Sequence, residues 1–303
     1  LLALLAGCQS DVDPKADPPR EEAKPARSKG SGGKAAKPVR TKKPTPQAGS
    51  GEAFTAEERA NMEAAWQAFV DDLRLEEAAK DKFKSLHDCF VRELKPGARP
   101  IDPDPAVLTS PCDAVVGEFG TLEGLEAIQA KGFPYSILDL LGDEENAERY
   151  RDGLFVTLRL KSSMYHRFHA PCDGQVLEIQ YISGDTWNVN PIALKSIERL
   201  FCRNERAVID FDIGSENEAI TLVPIAAILV ASMRLHGIEE PLNLRYKGPN
   251  RIPCSLKYAK GDEIGYFEHG STIVLFARGD FSFADTVNTG SIIRVGRPLL
   301  NRN

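Results

Sequence analysis

The sequence predicts an α+β fold, in which N-terminal helices precede a mainly antiparallel β-sandwich. Apolar residues between positions 55 and 90 recur at helical spacing, so one face of each helix can be buried. Beyond about position 106, short strand-like segments are separated by turns rich in Gly, Pro and Asp. The chain shows neither βαβ alternation nor a glycine-rich phosphate loop, which favours antiparallel sheets over a parallel α/β fold.

An apolar segment, LLALLAGC, forms residues 1–8 and resembles the end of a bacterial lipoprotein signal. In such signals the cysteine receives the lipid, so Cys8 is the predicted lipidation site. The protein is then expected at the membrane, as a lipoprotein anchored at the cell envelope. The alternative is a short apolar start to an ordinary chain. On either interpretation the run is too short to span a bilayer.

Residues 9–54 are predicted to be a disordered tether rich in Pro and Lys. Positions 9–50 contain seven prolines and bury too little apolar surface to offset the chain entropy. Ten Lys or Arg against five Asp or Glu give this stretch a charge of +5, so with a total of −6 the remainder carries −11. An acidic body argues against nucleic acid as the main partner. The basic arm suits an anionic surface or serves only as a soluble linker.

Residues 55–105 are predicted to be helical. Thr55 and Glu58 form a capping box at the start of this region, and the proline-rich segment 95–105 ends it. Two apolar helix faces are expected, the first formed by Met62, Trp66, Phe69 and Leu73 and the second by Ala79, Phe83, Leu86 and Phe90.

Residues 106–303 are predicted to form the β-sandwich domain, interrupted by helical pieces at 136–141 and 190–201. Alternation of apolar and polar residues predicts strands at 154–160 and 207–213. A further strand is expected at 272–278. The long apolar run from 219 to 235 predicts two strands, or a strand that bends around Pro224.

The segment YHRFHAPCDG places His166 and His169 three residues apart, with Cys172 and Asp173 close behind. Two imidazoles and a thiolate are good zinc ligands, but no second ligand pair is evident. The segment also suits a polar turn between strands. A third interpretation is catalytic, because histidines titrate near neutral pH and can exchange protons in a cleft.

A related string, SPCD, occurs at 110–113, and its likeness to APCD at 170–173 suggests a weak internal repeat. Two similar turns placed side by side would bring Asp113 within reach of His169. The same arrangement would allow Cys112 and Cys172 to form a disulfide, although two adjacent reduced thiols fit equally well. Apart from Cys8 the chain has five cysteines, so at least one thiol is free.

Taken together, several motifs resemble the phosphatidylserine decarboxylase family. They run in order from about 83 to 297 and read FVRELKPGARPIDPD, TSPCD, YHRFHAPCDG, NPIALKSIERLFCRNERAV and KGDEIGYFEHGSTIVLF. Five such motifs in the same order identify the chain as a member of that family.

The resemblance implies a proenzyme that cuts itself within a Gly-Ser-Thr motif, here between Gly270 and Ser271. The new N-terminal serine becomes a pyruvoyl group, the only cofactor of the family, and no metal is implied. The family's triad corresponds to Asp113, His169 and Ser271. Ser271 is the nucleophile, His169 is the base that removes its proton, and Asp113 holds the tautomer of the His169 ring. The base is needed because a serine hydroxyl is a weak nucleophile until its proton is removed. His166 corresponds to the second active-site imidazole, which protonates the former α-carbon after decarboxylation.

The implied substrate is phosphatidylserine in a membrane, converted to phosphatidylethanolamine and CO₂. Some relatives decarboxylate free amino acids such as tryptophan, and this alternative stays open because the family's usual membrane-contacting N-terminal region is replaced by the anchor and tether. A non-enzymatic carrier module is the third possibility, since KGDEIG resembles the turn of biotinyl and lipoyl carriers. No convincing exposed lysine supports it. We expect the two self-cleaved chains to stay associated, and a homo-oligomer is possible.

Overall fold

The computed structural model describes residues 73–130, 133–227, 232–268 and 271–303. Four predicted features lie outside the described residues: the signal segment with Cys8, the tether, the capping box at Thr55 and the cleavage-site residue Gly270. In the described part of the chain, no helix is long and apolar enough to cross a membrane. The domain boundary at 105/106 stays a prediction.

Strands dominate the described chain, as the sequence predicts. They are β1 Val107–Thr109, β2 Ala114–Thr121, β3 Glu126–Ala130, β4 Phe133–Ser136, β5 Leu154–Leu160, β6 Arg167–His169, β7 Gly174–Ile182, β8 Arg206–Phe211, β9 Ala219–Ala226, β10 Ser232–Leu235, β11 Leu242–Asn243, β12 Arg251–Tyr258, β13 Glu263–Phe267, β14 Ser271–Arg278, β15 Phe281–Phe283, β16 Ile292–Ile293 and β17 Pro298–Arg302. The helices are short: α1 Leu86–Phe90, α2 Ile137–Leu141, α3 Glu144–Arg149, α4 Pro191–Ser196 and α5 Leu200–Arg203.

An eight-stranded antiparallel sheet forms the centre of the domain, in the order β12-β7-β8-β9-β14-β5-β2-β16. Smaller sheets of four strands (β11-β10-β13-β6), three strands (β1-β17-β15) and two strands (β3-β4) complete the architecture. This confirms the predicted α+β fold with mainly antiparallel sheets. Strand β14 lies inside the large sheet, hydrogen-bonded to β9 on one side and to β5 on the other.

The large sheet is buried on both faces. Along β14, Ile273 and Leu275 belong to one apolar cluster, which we call the first core. Val274 and Phe276 belong to a second core on the opposite face, together with residues of α2 and α5. Because successive strand residues point to opposite faces, a strand covered on both sides reads as a continuous apolar run. That is why the sequence TIVLFA shows no polar alternation.

The predicted strand boundaries are largely confirmed. Strand β5 spans the expected residues 154–160, and β14 begins at Ser271, one residue before the expected start. The apolar run from 219 to 235 forms two strands, β9 and β10. The alternative, a strand that bends around Pro224, is wrong, because β9 continues through Pro224, which lies opposite Ile273 of β14.

The second N-terminal helix is much shorter than predicted. Helix α1 contains only Leu86–Phe90, capped by the Ser85 hydroxyl, which accepts a hydrogen bond from the Asp88 backbone. Ala79 lies outside it, because its N–H donates to the carbonyl of Glu93 in a small ladder with the following segment. Backbone groups used in that ladder are not available for helical hydrogen bonds, so helical spacing alone misled here.

Candidate active site

Most of the expected site residues lie near one end of the large sheet. Ser271, the first residue of β14, lies opposite Leu160 at the end of β5 and opposite Ala226 at the end of β9. Asp113 immediately precedes β2, which pairs with β5. The histidines flank and end β6, which pairs with β13 just before the cleavage segment. Antiparallel pairing thus gathers residues from distant parts of the sequence.

Ser271 is fully buried, and its hydroxyl has no hydrogen-bond partner in the described part of the chain. A buried hydroxyl without a partner costs about 1–3 kcal/mol of stability, so such groups are uncommon in native proteins. Serine at this position is therefore not explained by packing or by local hydrogen bonding. An orphaned hydroxyl at the head of a rigid central strand fits a residue that is kept for chemistry.

His166 is fully buried and held from two sides. Its Nδ1 lies 2.8 Å from the carbonyl oxygen of Met164, and its ring stacks on Phe90 at a centroid distance of 3.7 Å. A carbonyl only accepts hydrogen bonds, so Nδ1 carries the proton and Nε2 holds the lone pair in the neutral ring. The backbone N–H of Phe267, at the end of β13, donates to the carbonyl of His166 over 3.0 Å. This bond ties the histidine to the segment that leads to Ser271.

His169 is fixed by partners on both ring nitrogens. Nδ1 donates to the carbonyl of Gly261 over 2.8 Å, and Nε2 accepts from the Tyr165 hydroxyl at 3.0 Å. Burial lowers the pKa of His169, and the hydrogen bond to Gly261 opposes this shift only in part. The ring is therefore held neutral, with its basic nitrogen facing Tyr165. Sequence reasoning missed Tyr165, although it stands within the same motif.

Asp113 is fully buried and bound to two arginines. Arg99 contacts both carboxylate oxygens, at 2.9 and 3.1 Å from Nε and 2.6 Å from Nη2. Arg294 Nη1 adds a bond of 3.0 Å, and the backbone N–H of Val295 another of 3.0 Å. The expected task of Asp113, to hold the tautomer of His169, is performed in this structure by the carbonyl of Gly261. Paired charges and several donors make Asp113 an anchor between the 95–105 segment and the sheet.

The two Pro-Cys-Asp turns lie side by side, as the internal repeat suggests. The N–H of Thr109 donates to the carbonyl of Pro171 over 2.9 Å, and the N–H of His169 donates to the carbonyl of Pro111 over 2.7 Å. The two turns that are similar in sequence therefore hydrogen-bond to each other. It brings His169 directly against the segment that carries Asp113.

Cys112 and Cys172 are free, buried thiols, so the disulfide alternative is wrong and the reduced pair is correct. Burial raises the pKa of both thiols, that of Cys172 to about 12, which disfavours the thiolate. A thiolate is the form that binds zinc, so the protonated Cys172 is a poor zinc ligand. Asp173, the neighbouring candidate ligand, accepts a hydrogen bond from the backbone N–H of Lys260. The described residues contain no group of three or more His, Cys, Asp or Glu arranged to hold a metal ion.

Two histidines and a buried serine lie near one end of the central sheet of this antiparallel domain. This combination is typical of an enzyme. Residues 86–301 match the family described as phosphatidylserine decarboxylase. A phosphatidylserine decarboxylase proenzyme of Vibrio cholerae is 41% identical over 224 residues, covering 71% of this chain and 78% of that protein. Proenzymes of the same name from Vibrio parahaemolyticus (39% identity; 71% and 78% covered) and Aliivibrio fischeri (36%; 72% and 78%) are also similar.

The chain belongs to the phosphatidylserine decarboxylase family, and it is a carboxy-lyase. The family resemblance inferred from the sequence motifs is confirmed. The roles of the individual site residues stay predictions.

Proposed function

We propose that this protein cuts itself between Gly270 and Ser271 and then decarboxylates phosphatidylserine with a pyruvoyl group made from Ser271. The observation that carries the proposal is the buried, unpartnered hydroxyl of Ser271 at the head of β14. It lies within the region that matches the family. Self-cleavage removes this hydroxyl oxygen, because Oγ leaves with the carboxylate of Gly270, and the product no longer contains the unpaired hydroxyl.

Self-cleavage begins when Ser271 Oγ attacks the carbonyl carbon of Gly270. The Oγ proton leaves, the C–N bond breaks, and the nitrogen of Ser271 takes up a proton, so the amide becomes an ester. Loss of the Ser271 α-proton then breaks the Cβ–Oγ bond and frees Gly270 as a carboxylate. Tautomerisation and hydrolysis of the remaining enamine release ammonia and leave a ketone at position 271.

His169 is the proposed base for the first step. Gly261 keeps the proton on Nδ1, so the proton from Ser271 must arrive at Nε2. The Tyr165 hydroxyl occupies that nitrogen. We assign it as a relay that gives its proton to His169 and takes the Ser271 proton when Ser271 Oγ, which has no partner in the described residues, moves into contact with it for the cut. Asp113 and Arg99 together hold the neighbouring turn in place.

A pyruvoyl group at position 271 would supply a carbonyl that binds the substrate amine and accepts electrons as CO₂ leaves. The protein's part is to deliver a proton to the former α-carbon, and we assign this to His166. Met164 fixes the Nδ1 proton of that ring, so Nε2 is the atom that gains and loses a proton. Stacking on Phe90 keeps the imidazole in one orientation.

The two chains should remain together after the cut. The smaller product starts with β14, which is hydrogen-bonded along its length to β9 and β5 of the larger product. Its apolar side chains fill both cores, so separating it would expose them. Membrane association follows from the lipid substrate, and lipidation of Cys8 is the proposed anchor.

The test begins with the mass of the purified protein. We expect one chain ending at Gly270 and one spanning 271–303 whose N-terminus is a ketone. Ser271→Ala should stay uncut. Ser232→Ala is the matched control, because Ser232 is also buried and its hydroxyl also has no partner in the described residues. It should be cut at the wild-type rate. A wild type of full mass would overturn the proposal.

The substrate is tested with the processed protein and vesicles containing phosphatidylserine. Formation of phosphatidylethanolamine with release of CO₂ is the expected result. Faster decarboxylation of free tryptophan or serine would refute the lipid substrate while leaving the pyruvoyl chemistry intact. A processed protein that releases no CO₂ from lipid or amino acids would support a binding module instead.

A further inference from the structure

Glu205 is a buried carboxyl for which the proposed mechanism has no use. It lies between α5 and β8, it is fully buried, and neither carboxylate oxygen has a hydrogen-bond partner in the described part of the chain. The Tyr181 hydroxyl of the neighbouring strand β7 instead donates to the carbonyl of Asn243 over 2.9 Å. A buried carboxylate without a partner is costly, so a group that satisfies it is expected during function.

Glu205 and Ser271 flank the same residue, Ala226 at the end of β9. Ser271 lies opposite Ala226 in the β14–β9 register. On the other side, the N–H of Ala226 donates to the carbonyl of Glu205 over 2.9 Å. Neighbouring strands are about 4.8 Å apart, so the backbones at Glu205 and Ser271 are separated by about 10 Å.

The two side chains also belong to the same face of the sheet. Ala207 and Ile209 of β8 lie in the first core, as do Ala226 and Ile273. Strand residues two apart share a face, so alternation places Glu205 with Ala207 and Ser271 with Ile273. Arg206, between Glu205 and Ala207, lies on the opposite face, where its Nε donates to the carbonyl of Leu140 in α2.

In the strand register, Ala226 is the residue between Glu205 and Ser271 on this face. A glutamate carboxyl extends about 4–5 Å from its Cα and a serine hydroxyl about 2.5 Å. Their polar atoms are thus separated by roughly 3 Å if they lean together and by up to about 10 Å if both stand upright on the sheet. An ammonium group that contacts both polar groups would span about 5–6 Å, which falls within this range. The carbonyl of the processed enzyme would form at the Cα of residue 271, which borders this interval.

We propose that Glu205 binds the primary ammonium group of the substrate and takes its proton, so that a neutral amine reaches the carbonyl at position 271. This inference rests on the proposed function. In the step, an N–H bond of the ammonium breaks, the nitrogen keeps the electron pair, and a new O–H bond forms on Glu205. Only the neutral amine has the lone pair that attack on a carbonyl requires.

The surroundings of Glu205 suit this transfer. Burial raises its pKa to about 7, and the nearby Tyr181 hydroxyl, whose own hydrogen bond goes to Asn243, lowers it only in part. A general base works best when its pKa lies near the working pH. A buried carboxylate also gains more from a cation than an exposed one, because water screens the attraction less.

Two small amines test the inference on the processed enzyme. Ethanolamine is a cation near neutral pH and needs a base, whereas methoxyamine is already neutral. Capture of each by the carbonyl at position 271 is followed by the mass of the small chain, with cyanoborohydride to fix the ethanolamine adduct. Glu205→Gln should slow ethanolamine capture roughly 100-fold, a typical loss for a proton-transfer group, and leave methoxyamine capture unchanged. Glu205→Asp should restore part of the ethanolamine rate.

Glu198→Gln is the matched control, because Glu198 is exposed and should behave as wild type with both amines. Equal ethanolamine rates in wild type and Glu205→Gln would overturn the inference and leave the proposed function standing. Loss of self-cleavage in both Glu205 variants would place the carboxyl in processing and also overturn it. A wild type that captures neither amine would refute the carbonyl itself, and with it both proposals.

Discussion

Glu205→Gln should change how the stability of this protein depends on pH. The ordinary pKa of a glutamate is 4.5, and burial raises that of Glu205 to about 7 in the folded chain. At pH values below 4.5 the carboxyl is protonated in both states and contributes no pH dependence. As the pH rises from 4.5 towards 7, the unfolded chain releases its proton first, so the folded state loses relative stability. Above about pH 7 the loss is complete.

The size of the effect follows from the shift. A difference of about 2.5 pKa units corresponds to about 3 kcal/mol, at 1.36 kcal/mol for each unit. Most of this, about 2.5 kcal/mol, falls between pH 5 and pH 8. Glutamine does not titrate. Between pH 5 and pH 8 the free energy of unfolding should therefore fall by about 2.5 kcal/mol less in the Gln variant than in the protein that keeps Glu205.

Urea unfolding at pH 5 and pH 8 measures the difference directly. Both proteins should carry Ser271→Ala, so that each is a single uncut chain and the transition is not complicated by chain separation. Glu198→Gln in the same background is the control and should follow the parent, because its carboxyl is exposed. Parallel pH profiles for the parent and Glu205→Gln would refute the reasoning that Glu205 is buried without a partner.

Four further outcomes follow. His166→Ala should keep self-cleavage but abolish CO₂ release, measured by chain masses and evolved CO₂, and loss of both reactions would contradict the separate roles. Tyr165→Phe should slow self-cleavage about 100-fold, because the proton path to His169 Nε2 is interrupted. The rate is measured from the appearance of the two chains, and an unchanged rate would exclude Tyr165 as the relay. Leu275→Ala should lower the free energy of unfolding by about 2–5 kcal/mol in urea titrations, because Leu275 is fully buried in the first core; a loss below about 1 kcal/mol would contradict tight packing there. Cys8→Ser should move the protein from the membrane fraction to the soluble fraction, and retention of the variant together with an unlabelled wild type would exclude the lipid anchor.

Local sequence patterns determined the strands and most of the candidate residues. Alternating apolar residues predicted both ends of β5 correctly, because successive side chains of a strand point to opposite faces and this alternation is visible in the sequence. The repeated Pro-Cys-Asp strings predicted neighbouring turns, since similar sequences adopt similar turns that can pair. The motifs around Ser271 and the two histidines identified the family. These features depend on residues that are close together along the chain.

The tertiary structure alone decided which polar groups meet. The carbonyl of Gly261, far from His169 in sequence, holds the imidazole that Asp113 was expected to hold, and Asp113 binds Arg99 and Arg294 instead. Glu205 looked like an ordinary charged residue in the string RNERAV, and only strand pairing places it across Ala226 from Ser271. A hydrogen-bond partner is fixed by the register of distant strands, and no local periodicity contains that register.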